Sequence, residues 1–250
     1  MDAKIDWLGH ATIRIELAGV RILTDPAIRE RIGPLDRKAG PVAHAAIEGI
    51  DVVLISHLHQ DHLDLPSLRR LGDPRLIVPA GSGGIFRSAG HGDVDEFSPG
   101  QRTTHGPVTI EIVRADHSGF RPPFGPTAPA LGFVVSDGRH RVYFAGDTSI
   151  YPEMAELGDL DLALVPVWGW GPNLRGGHMD PKMAAEALTL LRPRLAVPVH
   201  WGTFWPKTLD RVKPDRLRLP GREFREAARG LAPDVAIRVL HPGEGLTIPR

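Results

Sequence analysis

The chain is 250 residues long, enough to bury a sizeable core, and its 30 basic and 30 acidic side chains cancel. With no net field to draw it to polyanions or membrane surfaces, a small-molecule substrate is favoured over nucleic acid. There is no cysteine, which excludes disulfides, thiolate metal ligands and a thiol nucleophile, and leaves any metal to histidine and carboxylate. The start, MDAKIDWLGH, lacks the basic and apolar stretches of a secretion signal. No segment nears the roughly 18 apolar residues of a membrane span, so a cytoplasmic protein is expected.

Thr12, Arg14 and Glu16 alternate with apolar positions, which predicts a strand at ATIRIEL, paired through Ala18 and Gly19 with a second at VRILTDP. A Gly/Pro-rich stretch ending near Gly49 leads into DVVLIS, a continuous apolar run that fits a strand buried on both faces. DLPSLRRL reads as a helix capped by Asp64 with Pro66 in its first turn; RLIVPAG and GPVTIEIVRADHSG read as strands. LGFVVSDGRHRVYFAGD is a hairpin turning over Ser136 to Arg139, and it ends on Asp147 as the first hairpin ends on Asp25. DLALVPV then takes the place of DVVLIS. Hairpin, acidic residue and buried strand thus occur twice, predicting an α/β protein of two similar halves packed face to face. In DPKMAAEALTLLRP, Met183, Ala187, Leu188 and Leu191 have helical spacing behind Asp180 and Pro181. LAVPVHWG reads as a strand ending on His200, PGREFREAARGL as a last helix and AIRVLHPGEGLTI as a closing hairpin. No linker or low-complexity tract divides the chain, so one domain over residues 1–250 is expected.

SHLHQDHLD, from Ser56 to Asp64, places three histidines and two aspartates directly after a buried strand. Left unpaired in the interior, such groups would cost several kcal/mol each, so solvent or a metal ion has to satisfy them. In the HxHxDH pattern of His57, His59, Asp61 and His62, alternate side chains just past a strand end can aim at one centre and their neighbours at a second. A solvated turn is the plain reading of one such histidine. It weakens here because His117 in ADHSG, Asp147 in FAGDTS and His200 in PVHWGTF also follow apolar runs and precede small or turn-forming residues. Strand ends gathered at one sheet edge are where α/β proteins build sites.

These motifs, from WLGHATIRI and ILTDP through HxHxDH, DHSG and AGDTS to PVHWGTF, resemble the metallo-β-lactamase superfamily. GGHMDPKMAAEAL followed by PVHWGTF is most similar to the branch of N-acylphosphatidylethanolamine-hydrolysing phospholipase D and the L-ascorbate 6-phosphate lactonases. The resemblance implies a four-layer αββα sandwich with a metal site at the shared edge of its sheets. It implies a first metal on His57, His59 and His117, a second on Asp61, His62 and His200, and Asp147 bridging both. Imidazole and carboxylate suit zinc, manganese or iron, with zinc the first choice. Two such ions about 3.5 to 4 Å apart would turn a bridging water into a hydroxide nucleophile near neutral pH. The expected activity is that of a binuclear hydrolase of a phosphodiester, ester or lactone bond, with Asp61 and His178 assigned to the catalytic step.

His178, in GGHMDP, would donate to a developing oxyanion or leaving oxygen; a helix-entry hydrogen bond is the alternative. Asp25 would orient a metal-bound imidazole, or simply form a strand-end turn before Pro26. His10, in WLGHAT, would back the site. Trp168, Trp170, Trp201, Phe204 and Trp205 would wall an apolar pocket or fill core, and GFRPPFGPTAP would form a lid or rim. GSGG at Gly81 to Gly84 lacks the ending of a phosphate-binding loop and reads as a turn, and Ser118 lacks a nucleophile-elbow context. Two further readings keep the fold: an iron-dependent oxygenase or redox protein, which would need no change of ligands, and a nucleic-acid-processing hydrolase, which the neutral charge disfavours.

Overall fold

The alternation and the apolar runs build two sheets, seen in a computed structural model that describes residues 1–169, 176–207 and 217–249. The first half contains β1 (Ala3–Gly9), β2 (Thr12–Leu17), β3 (Val20–Thr24), β4 (Arg31–Ile32), β5 (Leu35–Arg37), β6 (Val52–Leu54), α1 (Leu65–Leu68), β7 (Arg75–Pro79), α2 (Gly83–Ser88) and β8 (Val94–Phe97). The second contains β9 (Arg102–His105), β10 (Val108–Arg114), β11 (Leu131–Ser136), β12 (Arg141–Phe144), β13 (Leu162–Pro166), α3 (Pro181–Leu191), β14 (Leu195–Val199), β15 (Phe204–Pro206), α4 (Leu219–Leu231), β16 (Ala236–Ile237) and β17 (Gly245–Ile248).

One sheet runs β17-β1-β2-β3-β6-β7-β8 and the other β16-β14-β13-β12-β11-β10-β9, while β15, β5 and β4 form a small third sheet. In each large sheet an antiparallel ribbon gives way to parallel strands, at β3 beside β6 and at β12 beside β13. These are the two places where hairpin, acidic residue and buried strand were expected. β6 shows why its sequence is an unbroken apolar run: Val52 and Leu54 enter the core between the sheets, whereas Val53 enters a second core that also takes Leu68 of α1 and Phe86 of α2. On the far side, Ala184, Leu188 and Leu191 of α3 and Phe224 of α4 are buried over β13 and β14. The layers are therefore helix, sheet, sheet, helix. Asp180 and Asp64 cap α3 and α1 by accepting from the backbone N–H of Met183 and Ser67.

Two expectations need correction. AIRVLHPGEGLTI is not a hairpin: β16 lies parallel to β14 in one sheet, while β17 lies antiparallel to β1 in the other. The turn between them bonds outward instead, with Trp7 N donating to the Glu244 carbonyl and Gly243 N donating to that of Trp7. Two open sheet edges outcompete a local pairing that neither core would cover. GSGG is a turn only in part, since Gly83 and Gly84 already belong to α2. No helix among the described residues is long and apolar enough to cross a membrane.

Candidate metal centre

β1 and β3 both run antiparallel to β2, and β3 is parallel to β6, so the C-terminal ends of β1, β3 and β6 share one edge. By the same reasoning β10, β12, β13 and β14 end together in the other sheet. The residues after those ends are His10, Asp25, the turn from Ser56 to Asp64, His117, Asp147, Trp168 and His200. Strand direction thus collects the candidate groups at one edge of each sheet, and the 3.1 Å approach of His62 Nε2 to His200 Nε2 joins the two edges.

His57, His59 and His117 converge: His57 Nε2 lies 3.0 Å and His117 Nε2 3.1 Å from His59 Nδ1. The His117 ring is set by its Nδ1–H, which donates to the Gly177 carbonyl at 2.6 Å and leaves Nε2 as a lone pair facing the cluster. Gly177 has φ +98°, and a Cβ there would fall 2.7 Å from His117 Nδ1, so the approach requires glycine.

The second cluster joins His62, His200, Asp61 and His10. His62 Nδ1–H donates to Asp25 at 2.7 Å, and His200 Nδ1–H donates to the Trp168 carbonyl at 2.7 Å. With those protons committed, the two Nε2 atoms meet at 3.1 Å. Asp147 places Oδ2 3.3 Å from His62 Nε2 and Oδ1 3.3 Å from His200 Nε2, and Oδ1 is buried without accepting a hydrogen bond. It also forms a compact group with His117 and His178, so it borders both clusters. Two facing lone pairs repel unless a positive charge sits between them. A proton on His62 can supply it, and a divalent cation can supply it while also meeting the carboxylates.

The electrostatics follow. Burial pushes His10 down to about 3 and His117 to about 4, and it also lowers His57 and His59. For His62 burial pulls down too, but Asp147, Asp61 and Asp25 outweigh it and hold the imidazole well above its ordinary value. The metal-free protein should therefore be most stable near the ordinary histidine value of 6.5. As pH falls from there, the unfolded chain binds protons that folded His10 and His117 exclude, and stability drops. As pH rises, the folded chain keeps a His62 proton that the unfolded chain has released, and stability drops again. Melting curves of the metal-free protein between about pH 4 and 8 check this maximum. A bound cation replaces the His62 proton, so the alkaline decline should vanish in loaded protein.

Other expected residues fall as follows. His10 is buried, with Nε2 3.0 Å from Asp61 Oδ2 and its ring centroid 3.9 Å from that of His200, the rings tilted 37° to one another; its backbone carbonyl accepts from His200 N at 3.0 Å. Asp25 is wholly buried at φ +34° and orients His62. His178 does not enter α3 through a cap, which is the work of Asp180; its Nε2 lies 3.4 Å from Asp147 Oδ2. Trp201 packs on Trp7 in the core, Phe204 meets the His10 ring edge-on, and Trp205 stacks on Trp168, all of them buried. Trp170 lies outside the described residues. In the loop after His117, Phe124 is 96% exposed and Arg121 donates to the carbonyls of Leu58 and Leu63, tying this rim to the HxHxDH turn. Arg121 and Ser56 are the contributors that sequence reading missed. A serine opening the HxHxDH turn at a strand end was the available signal for one, and a lone arginine among prolines gave little for the other.

The profile of a family described as the beta-lactamase superfamily domain matches residues 20–201. A protein of Opitutus terrae named a metal-dependent hydrolase is 33% identical over 94% of this chain and 100% of its own length. N-acyl-phosphatidylethanolamine-hydrolyzing phospholipase D 1 of Caenorhabditis elegans is 30% identical over 95% of this chain and 74% of its own. The chain spans 62% of the length of an uncharacterized Mycobacterium tuberculosis protein, to which it is 32% identical over 83% of itself. Among solved structures Igni18, a metallo hydrolase of Ignicoccus hospitalis, aligns over 100% of both chains with a TM-score of 0.78 and 24% identity, a likeness of fold.

Proposed function

The chain belongs to the beta-lactamase superfamily, and from that premise we propose that it is a metal-dependent hydrolase of a small phosphodiester, ester or lactone. The observation that carries the proposal is the pair of Nε2 atoms of His62 and His200, 3.1 Å apart with both Nδ1 protons engaged and the carboxylate of Asp147 beside them. His57 Nε2, His59 Nδ1 and His117 Nε2 would hold one divalent ion, Asp61, His62 and His200 the other, and Asp147 would serve both. Bound there, zinc ions would supply Lewis acidity and a hydroxide nucleophile near neutral pH.

The protein's own groups do the remaining work. Asp25 and the Trp168 carbonyl keep His62 and His200 in the tautomer that presents Nε2. His10 holds Asp61 Oδ2, so that carboxylate keeps one aim. His178 is half-buried beside Asp147, at the margin of the cluster, where it can hydrogen-bond a substrate oxygen and protonate a leaving group. The name of the nematode relative, a phospholipase D, supports a phosphodiester, and that of the Opitutus relative supports metal-dependent hydrolysis. Zinc-reconstituted protein should turn over at least one of bis(p-nitrophenyl) phosphate, p-nitrophenyl acetate and a γ-lactone, with His178→Ala lowering kcat more than it changes KM. Zinc-, manganese- and iron-loaded samples that hydrolyse none of these would sink the proposal.

A further inference from the structure

We propose that Ser56 is a positioning residue that fixes the tautomer of His57 and, through Asp25, ties together the two candidate metal positions; this rests on the metal reading above. Ser56 stands immediately before the first of the converging histidines and is wholly buried. Its Oγ lies 2.5 Å from Asp25 Oδ2 and 3.0 Å from His57 Nδ1. A hydroxyl has one proton to give. Donated to the carboxylate, where the short distance marks a charge-assisted bond, it leaves Oγ to accept from His57, which must therefore carry its proton on Nδ1. His57 Nε2 is then the lone pair that faces His59 Nδ1 at 3.0 Å.

The same Asp25 oxygen accepts from His62 Nδ1 at 2.7 Å. One carboxylate thus sets a histidine of the second cluster directly and a histidine of the first through one hydroxyl. The backbone holds this relay in place. Ser56 N donates to Asp25 Oδ1 at 2.7 Å, and Leu131 N donates to the Ser56 carbonyl at 2.8 Å. Gly146, at φ +62°, lets the turn carrying Asp147 lie against Ser56, since a Cβ there would come within 2.8 Å of the Ser56 Cβ. Ser56→Ala removes only the hydroxyl: the backbone bond to Asp25 and the bond from His62 remain, and the smaller side chain fits.

The test reads tautomers and metal affinity instead of turnover. Long-range 1H–15N NMR of the metal-free protein, with the His57 signal assigned by its loss in His57→Gln, should show His57 protonated at Nδ1. In Ser56→Ala the Nε2-protonated form should appear. Zinc titration of Ser56→Ala should weaken one equivalent about 10- to 100-fold and spare the other, whereas Asp25→Asn weakens both. A wild-type His57 protonated at Nε2, an unchanged tautomer in Ser56→Ala, or zinc affinities equal to wild type would each overturn the proposal. Wild-type protein that takes up no zinc, manganese or iron would instead overturn the metal-dependent reading, and the NMR result would still decide the tautomer.

Discussion

Asp147→Asn should lower hydrolysis by roughly two to four powers of ten and reduce bound zinc below two equivalents. The substitution keeps the shape of the side chain and removes only its charge. Both oxygens border imidazoles, with Oδ2 3.3 Å from His62 Nε2 and 3.4 Å from His178 Nε2, and Oδ1 3.3 Å from His200 Nε2 but accepting no hydrogen bond. Removing one preorganised electrostatic group from a reacting centre costs about 2.7–4 kcal/mol of transition-state stabilisation, with about 1.4 kcal/mol to each power of ten, and lowered metal occupancy adds to that loss. The carboxylate is held far below its ordinary titration range because the imidazoles of His200 and His62 outweigh the opposing effect of burial, so it stays ionised at any working pH. The amide cannot replace that charge. Metal analysis beside kcat/KM checks the result, and full activity with two bound ions would assign the bridging role elsewhere.

Chelation should abolish hydrolysis, and restoring zinc should return both activity and thermal stability. A ligand at a thousandfold excess over its Kd stabilises the folded state by about 4 kcal/mol. In a domain of this size each kcal/mol moves Tm by about 2–4 °C, so saturating zinc should raise Tm by roughly 10 °C. The gain should be largest at alkaline pH, where the metal-free protein has lost the contribution of the His62 proton. His57→Ala and His59→Ala should shrink the shift, since each deletes a nitrogen of one cluster while leaving the other intact. A chelated sample with unchanged activity would contradict the account.

Much of this was legible in the sequence because its signals are local. β2 announces itself by alternation and β6 by an unbroken apolar run, and the order of hairpin, aspartate and buried strand repeats with Asp25 and Asp147 in matching places. The HxHxDH spacing is legible for the same reason, since six residues past a strand end can reach only a short distance. What stayed hidden depends on distant partners. β16 and β17 look like neighbours in a hairpin, yet each completes a different sheet edge, and a turn signal cannot say which edge a strand will meet. Trp201 sits two residues from Thr203, which accepts from His10 N at 2.6 Å, but it packs on Trp7 instead of facing the site. Ser56 is marked in the sequence only by opening the HxHxDH turn at a strand end, and its part as a relay shows once Asp25, 31 residues earlier, is seen to accept its proton.

The central claim is that two clusters, joined by Asp147, hold two ions that act together. The most direct test is to titrate metal-free protein with zinc while following hydrolysis of the best substrate from the panel. Turnover should be absent at the start, rise with added zinc and level off at two equivalents per chain. Turnover before any zinc is added, or a plateau at one equivalent, would contradict it.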